Sequence, residues 1–252
     1  MSAPILAGAE PVSVKDGPIG IVVLHGYTGN PHSMRPLAAA LAAAGHSVEL
    51  PLLPGHGTSV EDLIPTRWSD WSSAAQAAYA DLAGRCETVV VAGLSMGGSL
   101  ALWLAERNPG VAGVVVVNPL VDPPAASFRE MLRGMVDAGE SSLPSIGSDI
   151  AQPGAVESAY GATPIEPLLS MFEAVDEIAA GLGDLRCPVL LFSSRSDHVV
   201  PPESGDLLVD RAGGPVERVW LERSFHVATL DYDAAELEAC ALAFVSRAAA
   251  PR

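Results

Sequence analysis

Apolar positions in this sequence are concentrated in short runs rich in valine, isoleucine and leucine, and longer stretches of mixed residues separate these runs. Continuous apolar runs are typical of strands buried on both faces of a sheet. The runs predict strands at residues 19–24, 47–50, 88–92, 111–118, 188–194 and 216–221. The mixed stretches predict helices at residues 31–44, 61–83, 96–107 and 234–248. Because strands alternate with helices, the pattern predicts an α/β fold with a mostly parallel, doubly wound sheet and helices on both faces.

The alternation is absent from the first residues and from one long internal segment. Residues 1–18 predict only a short lead-in. Residues 120–183 predict short helical pieces interrupted by prolines, and a long segment of this kind between two strands is typical of a cap or lid. We therefore expect an α/β core made of residues 1–119 and 184–252, with a cap inserted at 120–183. Apolar cap residues are expected partly to pack on the core and partly to line an entrance.

Length and composition agree with a folded domain and exclude some partners. At 252 residues with 49% hydrophobic residues, the chain is long and apolar enough to bury a sizeable core. Its net charge of −16 argues against nucleic acid or an anionic membrane as a partner, since both would repel it. We expect a small-molecule partner instead, and the apolar cap is compatible with transient contact with a lipid surface or with a dimer contact. Monomer and homodimer both stay open.

The expected compartment is the cytoplasm. No stretch approaches the roughly 18 uninterrupted apolar residues of a transmembrane helix, and no basic region followed by an apolar run of signal-peptide length begins the sequence. Cys86, Cys187 and Cys240 are widely spaced and form no CxxC pair, which indicates reduced thiols and a reducing environment.

Residues 93–97 (Gly-Leu-Ser-Met-Gly) lie between a predicted buried strand and a predicted helix. A strand that turns directly into a helix needs a strained backbone at its apex, and glycines on both sides remove side chains that would collide there. Ser95 would then project its hydroxyl from the end of the sheet as a nucleophile. The N–H of Met96 would lie at the helix N-terminus, where unpaired donors favour an oxyanion.

A second glycine-rich turn, residues 25–29 (His-Gly-Tyr-Thr-Gly), follows the first predicted strand. Such a turn lets a backbone amide approach a substrate carbonyl closely. We expect the N–H of Tyr27 to be the second oxyanion donor beside that of Met96, and we expect His25 to be structural.

A nucleophilic serine needs a base, and the sequence offers several histidines. His226 follows the last predicted strand and is the preferred candidate. His56 lies between two glycines, where a histidine more often fastens a turn. His198 directly follows Asp197, and neighbouring side chains on an extended loop point apart, so that aspartate could not easily align it.

The base in turn needs a carboxylate that fixes its tautomer and stabilises its cation. Asp197 follows the strand at 188–194, at the edge of the sheet where sites form. Asp122 also follows a strand and is the serious rival. Asp231 and Asp233 lie beyond His226 in the chain. The order Ser95, Asp197, His226 is that expected when a nucleophile elbow precedes an acid and a base.

No phosphate-cradling loop, HExxH motif or metal-spaced group of cysteines and histidines is present in the sequence. We therefore expect no metal.

Several short segments together match one family. Besides the serine motif, they are residues 25–30 (His-Gly-Tyr-Thr-Gly-Asn), 54–57 (Pro-Gly-His-Gly), 68–71 (Trp-Ser-Asp-Trp) and 224–226 (Ser-Phe-His). They resemble the bacterial monoacylglycerol lipases and their thermostable carboxylesterase relatives, which are serine hydrolases of the α/β-hydrolase fold. The resemblance covers nearly the whole chain. It implies hydrolysis of short or medium acyl esters, glycerol monoesters especially, without a cofactor and with the amides of Tyr27 and Met96 as oxyanion donors.

The resemblance also implies two substrate-binding residues in the cap. In these lipases a cap isoleucine narrows the acyl tunnel and a cap glutamate helps to hold the glycerol head group, and Ile146 and Glu157 are the matching positions. A solvated surface carboxylate is the alternative interpretation of Glu157.

Two classes of function follow from these observations. The first is a serine ester hydrolase, with a monoacylglycerol lipase preferred over a general short-chain carboxylesterase or a thioesterase, which would use the same three residues. The second is a non-catalytic binder of the same fold. The presence of Ser95, Asp197 and His226 at suitable places in the chain favours the enzyme.

Overall fold

The computed structural model of the protein describes residues 3–250. Nine strands are present in this part of the chain: β1 Val12–Val14, β2 Ile19–Leu24, β3 Ser47–Leu50, β4 Thr88–Leu94, β5 Val111–Val117, β6 Ser142–Pro144, β7 Ala162–Pro164, β8 Val189–Ser194 and β9 Val216–Leu221. Eight α-helices accompany them within the same residues: α1 Arg35–Ala43, α2 Val60–Leu63, α3 Trp68–Ala83, α4 Met96–Arg107, α5 Ala126–Asp137, α6 Ile165–Gly181, α7 Ser204–Arg211 and α8 Ala234–Ala248.

Seven strands form the central sheet, in the order β1-β3-β2-β4-β5-β8-β9. Six of them run parallel, and β1 pairs antiparallel with β3 at one edge. All six predicted strands and the mostly parallel doubly wound sheet are therefore confirmed. Because these strands are parallel, their carboxyl ends lie at the same end of the sheet, where the loops that follow β2, β4, β5, β8 and β9 come together.

Helices cover both faces of the sheet, as predicted. On one face α1 and α8 pack on the sheet through buried residues such as Leu37, Leu41 and Phe244. On the other face α3, α4 and α6 form a second apolar cluster with the sheet. Trp71 is fully buried in this cluster and Trp68 is nearly so, and both side chains anchor α3 in that layer.

The sequence pattern missed strand β1, which lies in the expected lead-in. Its three residues alternate apolar and polar, Val12-Ser13-Val14, and pair with Val48, Glu49 and Leu50 of β3. Three residues are too few for a pattern to distinguish a strand from a loop, so the partner strand determines this one.

The single helix predicted at 61–83 is interrupted in the structure. The chain forms the short helix α2, leaves helical structure around Pro65 and begins α3 at Trp68. Proline lacks the backbone N–H that a helix interior needs and disfavours helical backbone in the residue before it. The helix predicted at 31–44 likewise begins with a 3₁₀ turn at Pro31–Met34.

The segment 120–183 holds longer elements than the expected short pieces. Helix α6 has 17 residues, because Pro164 precedes it and Pro167 lies in its first turn, where the missing N–H has no intrahelical partner. Strands β6 and β7 form a small antiparallel hairpin that the sequence did not predict. Helix α5 is largely exposed, with Leu132 as its buried residue, whereas α6 packs with α3 and α4. The division into core and cap stays a prediction.

Helix α7 was also missed. It makes the crossover between the parallel strands β8 and β9, a connection that needs such an element. Leu208 is its one buried large apolar side chain, too weak a signal for a helical stripe.

Candidate active site

Ser95 lies at the apex of the turn between β4 and α4, with φ 55° and ψ −120°. A Cβ on Gly93 would lie 2.0 Å from the carbonyl oxygen of Gly97, and a Cβ on Gly97 would lie 2.2 Å from that of Leu24. Both contacts are with backbone atoms and cannot be relieved by rotating a side chain, so the turn requires glycine at both positions. The N–H of Ser95 donates to the carbonyl oxygen of Val117, 2.9 Å away, which fixes the apex to β5.

The glycine-rich turn after β2 lies directly beside this serine. A Cβ on Gly26 would lie 3.4 Å from Ser95 Cβ and 4.0 Å from Ser95 Oγ. Thr28 in the same turn has φ 62°, an unusual conformation for a residue other than glycine. Tyr27 follows Gly26, and Met96 follows Ser95 as the first residue of α4, where backbone N–H groups lack an intrahelical acceptor.

His25 and His56 fasten the loops beneath this turn, as predicted. His25 Nδ1 contacts the carbonyl oxygen of Gly26 at 3.0 Å, and the N–H of Leu53 donates to His25 Nε2 at 3.2 Å. His56 Nδ1 contacts the carbonyl oxygen of Pro54 at 3.0 Å, and the two imidazole rings meet edge to face. Burial lowers the pKa of His25 to about 4 and that of His56 well below its usual value, so both rings are neutral at pH 7.

His226 and Asp197 form a hydrogen-bonded pair at the ends of β9 and β8. His226 Nδ1 lies 2.8 Å from Asp197 Oδ2, and both side chains are almost completely buried. The second oxygen, Asp197 Oδ1, accepts hydrogen bonds of 2.8 Å from the N–H groups of Val199 and Val200. Since a carboxylate can only accept, the hydrogen of this bond belongs to Nδ1, and in the neutral form of the ring Nε2 is the acceptor.

The rival residues have other partners. Asp122 is exposed. Asp231 accepts hydrogen bonds from the backbone N–H groups of Ala151, Gln152 and Phe225. Asp233 pairs with Arg223. His198 contacts Asp149 at 2.8 Å, not its neighbour Asp197. Of the candidates, the structure brings only Asp197 to His226.

Two polar residues of this region were missed at the sequence level. Asn118, at φ 45° directly after β5, donates to Ser194 Oγ and to the carbonyl oxygen of His226, and its Oδ1 accepts from the N–H of Ser194. Its place at the carboxyl end of a buried strand was a usable signal. Asp149 contacts both His198 and His226, and nothing in its local sequence distinguishes it.

A cavity of about 520 Å³ opens beside Ser95 and His226. Most of its lining is apolar and comes from the loop after β5, the segment 120–183 and the loop after β8. The larger apolar lining residues are Leu120, Phe128, Leu143, Ile146, Leu168, Met171, Phe172, Val199 and Val200. Ile146 lines this cavity with 69% of its surface exposed, so it lies at the open end.

Glu157 is a half-buried carboxylate in the wall of the same cavity. Its Oε1 lies 2.8 Å from the place that a Cβ on Gly29 would take. Burial raises the pKa of Glu157, while the nearby His226 and a hydrogen bond with Ser33 oppose that shift. The backbone around it is attached to the turn after β2, since the N–H of Tyr160 donates to the carbonyl oxygen of Thr28 at 3.0 Å.

Within residues 3–250 no group of three or more His, Cys, Asp and Glu side chains is arranged to hold a metal ion. None of the helices in the described chain has the length and apolar character needed to cross a membrane.

Comparisons with known proteins agree with this geometry. The family model described as serine aminopeptidase, S33 (Hydrolase_4) matches residues 19–233. The chain is 46% identical to the thermostable monoacylglycerol lipase of Bacillus sp. (strain H-257) over 233 residues, which cover 91% of each protein. A solved structure from work on LipS and LipT, two metagenome-derived lipolytic enzymes, is 39% identical with a TM-score of 0.92, covering 97% of this chain and 100% of that one.

A more distant structure, the monoacylglycerol lipase of Paleococcus ferrophilus, has a TM-score of 0.77 at 17% identity and covers 95% of this chain and 100% of that one. At this identity the likeness concerns the fold alone. The sheet and its flanking helices have the α/β-hydrolase architecture that the sequence predicted.

Proposed function

Since the chain belongs to the Hydrolase_4 family, described as serine aminopeptidase, S33, we propose that it is a serine hydrolase that cleaves monoacylglycerols into a fatty acid and glycerol. One observation supports this proposal above all: the strained turn at Ser95 faces an apolar cavity that His226 also lines. The named activity of the 46% identical relative from Bacillus agrees with an acyl ester as substrate.

In the proposed reaction, His226 Nε2 accepts the proton of Ser95 Oγ as this oxygen attacks the ester carbonyl carbon. The tetrahedral intermediate collapses, the bond to the glycerol oxygen breaks, and His226 returns the proton to that oxygen. Water then attacks the acyl–serine ester, giving its proton to His226, and the fatty acid leaves as Ser95 regains a proton. Asp197 holds Nδ1 and stabilises the imidazolium form in both halves.

We assign the oxyanion site to the backbone N–H groups of Tyr27 and Met96. Two features support the assignment: Met96 begins α4, and Gly26, which precedes Tyr27, faces Ser95. Helix N-termini stabilise negative charge, and each donor of an oxyanion site typically contributes about 10²- to 10³-fold to turnover.

We assign the apolar cavity to the acyl chain and residues 120–183 to a cap over it. Tyr27 Oη donates to the carbonyl oxygen of Pro164 at 2.7 Å, so this segment is attached to the turn that holds the oxyanion donor. Ile146 lies where an acyl chain enters. Glu157 presents a carboxyl group beside His226, and its oxygens can accept hydrogen bonds from glycerol hydroxyls.

Hydrolysis of a matched substrate panel by wild type and Ser95→Ala tests the proposal. The panel contains monoacylglycerols of increasing chain length, a diacylglycerol, a triacylglycerol, p-nitrophenyl esters, an acyl-CoA and an amino-acid p-nitroanilide. We expect monoacylglycerols to have the highest kcat/KM and Ser95→Ala to be inactive. A preference for the acyl-CoA or the anilide would contradict the assigned substrate, and activity in Ser95→Ala would contradict the nucleophile.

Glu157→Gln tests the head-group contact with paired substrates. For a monoacylglycerol and a p-nitrophenyl ester of the same acyl chain, we expect kcat/KM to fall only for the monoacylglycerol, by about tenfold, since only glycerol offers hydroxyl donors. An equal fall for both esters would assign Glu157 a structural role.

A further inference from the structure

We propose that Asp149 is a positioning residue that holds the loops of Asp197 and His226 at the spacing their hydrogen bond requires. The inference rests on the proposed function only in naming those two residues as acid and base. It concerns a residue outside the Ser95, Asp197 and His226 set, contributed by the segment 120–183.

The carboxylate of Asp149 contacts both loops with one oxygen. Oδ2 accepts hydrogen bonds from the N–H of His198, at 3.1 Å, and from the N–H of His226, at 3.0 Å. The first donor belongs to the residue after Asp197, and the second belongs to His226 itself. The other oxygen, Oδ1, lies 2.8 Å from His198 Nδ1.

Asp149 is itself held in place. Its side chain is 10% exposed, and its carbonyl oxygen accepts from the N–H of Val227 at 3.1 Å. The N–H groups of Ala151 and Gln152 donate to the two oxygens of Asp231, at 2.7 and 2.9 Å, which attaches the next residues to the loop after β9 as well. The carboxylate of Asp149 is therefore a fixed acceptor, not a mobile surface group.

The hydrogen bonds to Asp149 matter because Asp197 and His226 lie on separate loops, one after β8 and one after β9. Their 2.8 Å hydrogen bond sets the direction of the imidazole ring, and displacements of about 1 Å in such a group can cost about 10²-fold in rate. Without Asp149, two backbone N–H groups beside the pair lose their acceptor, and a direct link between the two loops is lost.

Three variants distinguish the contacts. Asp149→Ala removes the acceptor of both backbone N–H groups. Asp149→Asn keeps one carbonyl oxygen that can accept from both of them, while its NH₂ faces the His198 ring. His198→Ala removes that ring but keeps the backbone N–H of residue 198. If Asp149→Ala does not fold, Asp149→Glu replaces it, because the longer side chain cannot place its oxygen at the same point.

The measurements are kcat and KM on a monoacylglycerol, the labelling rate with a fluorophosphonate, and the far-downfield proton resonance of the His226–Asp197 hydrogen bond. We expect Asp149→Ala to lower kcat and labelling by about 10- to 100-fold, with KM within about threefold, and to broaden or abolish the resonance. Asp149→Asn and His198→Ala should retain the resonance and most of the rate.

Three results would overturn the inference. Asp149→Ala could keep the wild-type kcat, it could lose rate with an unchanged resonance, or His198→Ala could lose as much as Asp149→Ala. Failure of the proposed function looks different: wild type would label without cleaving monoacylglycerols, or would not label at all. In either case the resonance, which needs no substrate, still decides the role of Asp149.

Discussion

Three residues other than glycine have a positive φ within residues 3–250: Thr28 at 62°, Ser95 at 55° and Asn118 at 45°. They follow β2, β4 and β5, three neighbouring strands of the sheet. Such conformations are strained and persist only where surrounding contacts enforce them. Their concentration at the carboxyl ends of these strands supports the assignment of this end of the sheet as the active site.

The role of Asp197 can be tested against its rival at the residue scale. We expect Asp197→Asn to lower kcat by about three to four orders of magnitude with little change in KM, because an amide favours the wrong imidazole tautomer at His226. Asp122 is exposed and is hydrogen-bonded to neither Asp197 nor His226, so Asp122→Asn should stay within about threefold of wild type. Steady-state kinetics on one ester substrate measure both. A larger loss of kcat in Asp122→Asn than in Asp197→Asn would assign the carboxylate partner of His226 to Asp122.

A residue can be predicted from the sequence where a motif or the chain order constrains the geometry. Ser95 stands in a strand–turn–helix motif, and Asp197 and His226 follow strands in the expected order. Asp149 could not be predicted, because its partners His198 and His226 lie 49 and 77 residues away and depend on how the segment 120–183 folds back.

At the scale of elements, hydrophobic runs predicted the central strands well, and β2, β3, β9, α4 and α8 have the predicted bounds. These elements are strongly apolar or strongly periodic, so one local signal defines them. Strand β1 and helix α7 are short and take their structure from the partner they pack against. Proline had opposite effects: Pro65 separates α2 from α3, whereas Pro167 is accommodated in the first turn of α6.

The turn between β4 and α4 requires glycine at position 97. Gly97→Ala would place a Cβ 2.2 Å from the carbonyl oxygen of Leu24, so α4 must move away from β2. We expect the free energy of unfolding to fall by about 3 kcal/mol or more, with loss of fluorophosphonate labelling. Urea unfolding followed by circular dichroism measures the first effect.

Gly134→Ala is the matched control. Gly134 lies exposed within α5, and a Cβ there meets no atom within 4 Å. Alanine is the better helix former, so stability should rise by about 0.5–1 kcal/mol. Equal effects of the two substitutions would show that the backbone contact at Gly97 is not the cause.

For the whole molecule, one buried carboxyl group makes stability depend on pH. Glu106 lies on α4, and its side chain is 6% exposed in the salt bridge with Arg107. Burial raises its pKa to about 7, Arg107 opposes the shift, and Asp184 and Glu177 add to it. A Cβ on Gly181 at the end of α6 would lie 3.0 Å from Glu106 Oε2, so this carboxyl group is enclosed between α4 and the end of α6.

Between pH 4.5 and about 7, the folded protein therefore keeps a proton on Glu106, whereas the unfolded chain, with the ordinary pKa of 4.5, has released it. Where the folded state binds more protons, stability falls as pH rises, so this contribution is complete below pH 4.5 and lost above about 7. Glu106→Gln stays neutral, and we expect it to exceed wild type in free energy of unfolding at about pH 8 by on the order of 1 to 3 kcal/mol, with little difference near pH 4.5. Urea unfolding at both pH values measures the difference in stability between the variant and wild type. Glu177→Gln is the control, because it removes a carboxylate that also pairs with Arg107 but is 70% exposed. A gap that is the same at both pH values would mean that folding does not raise the pKa of Glu106, because Arg107 offsets the effect of burial.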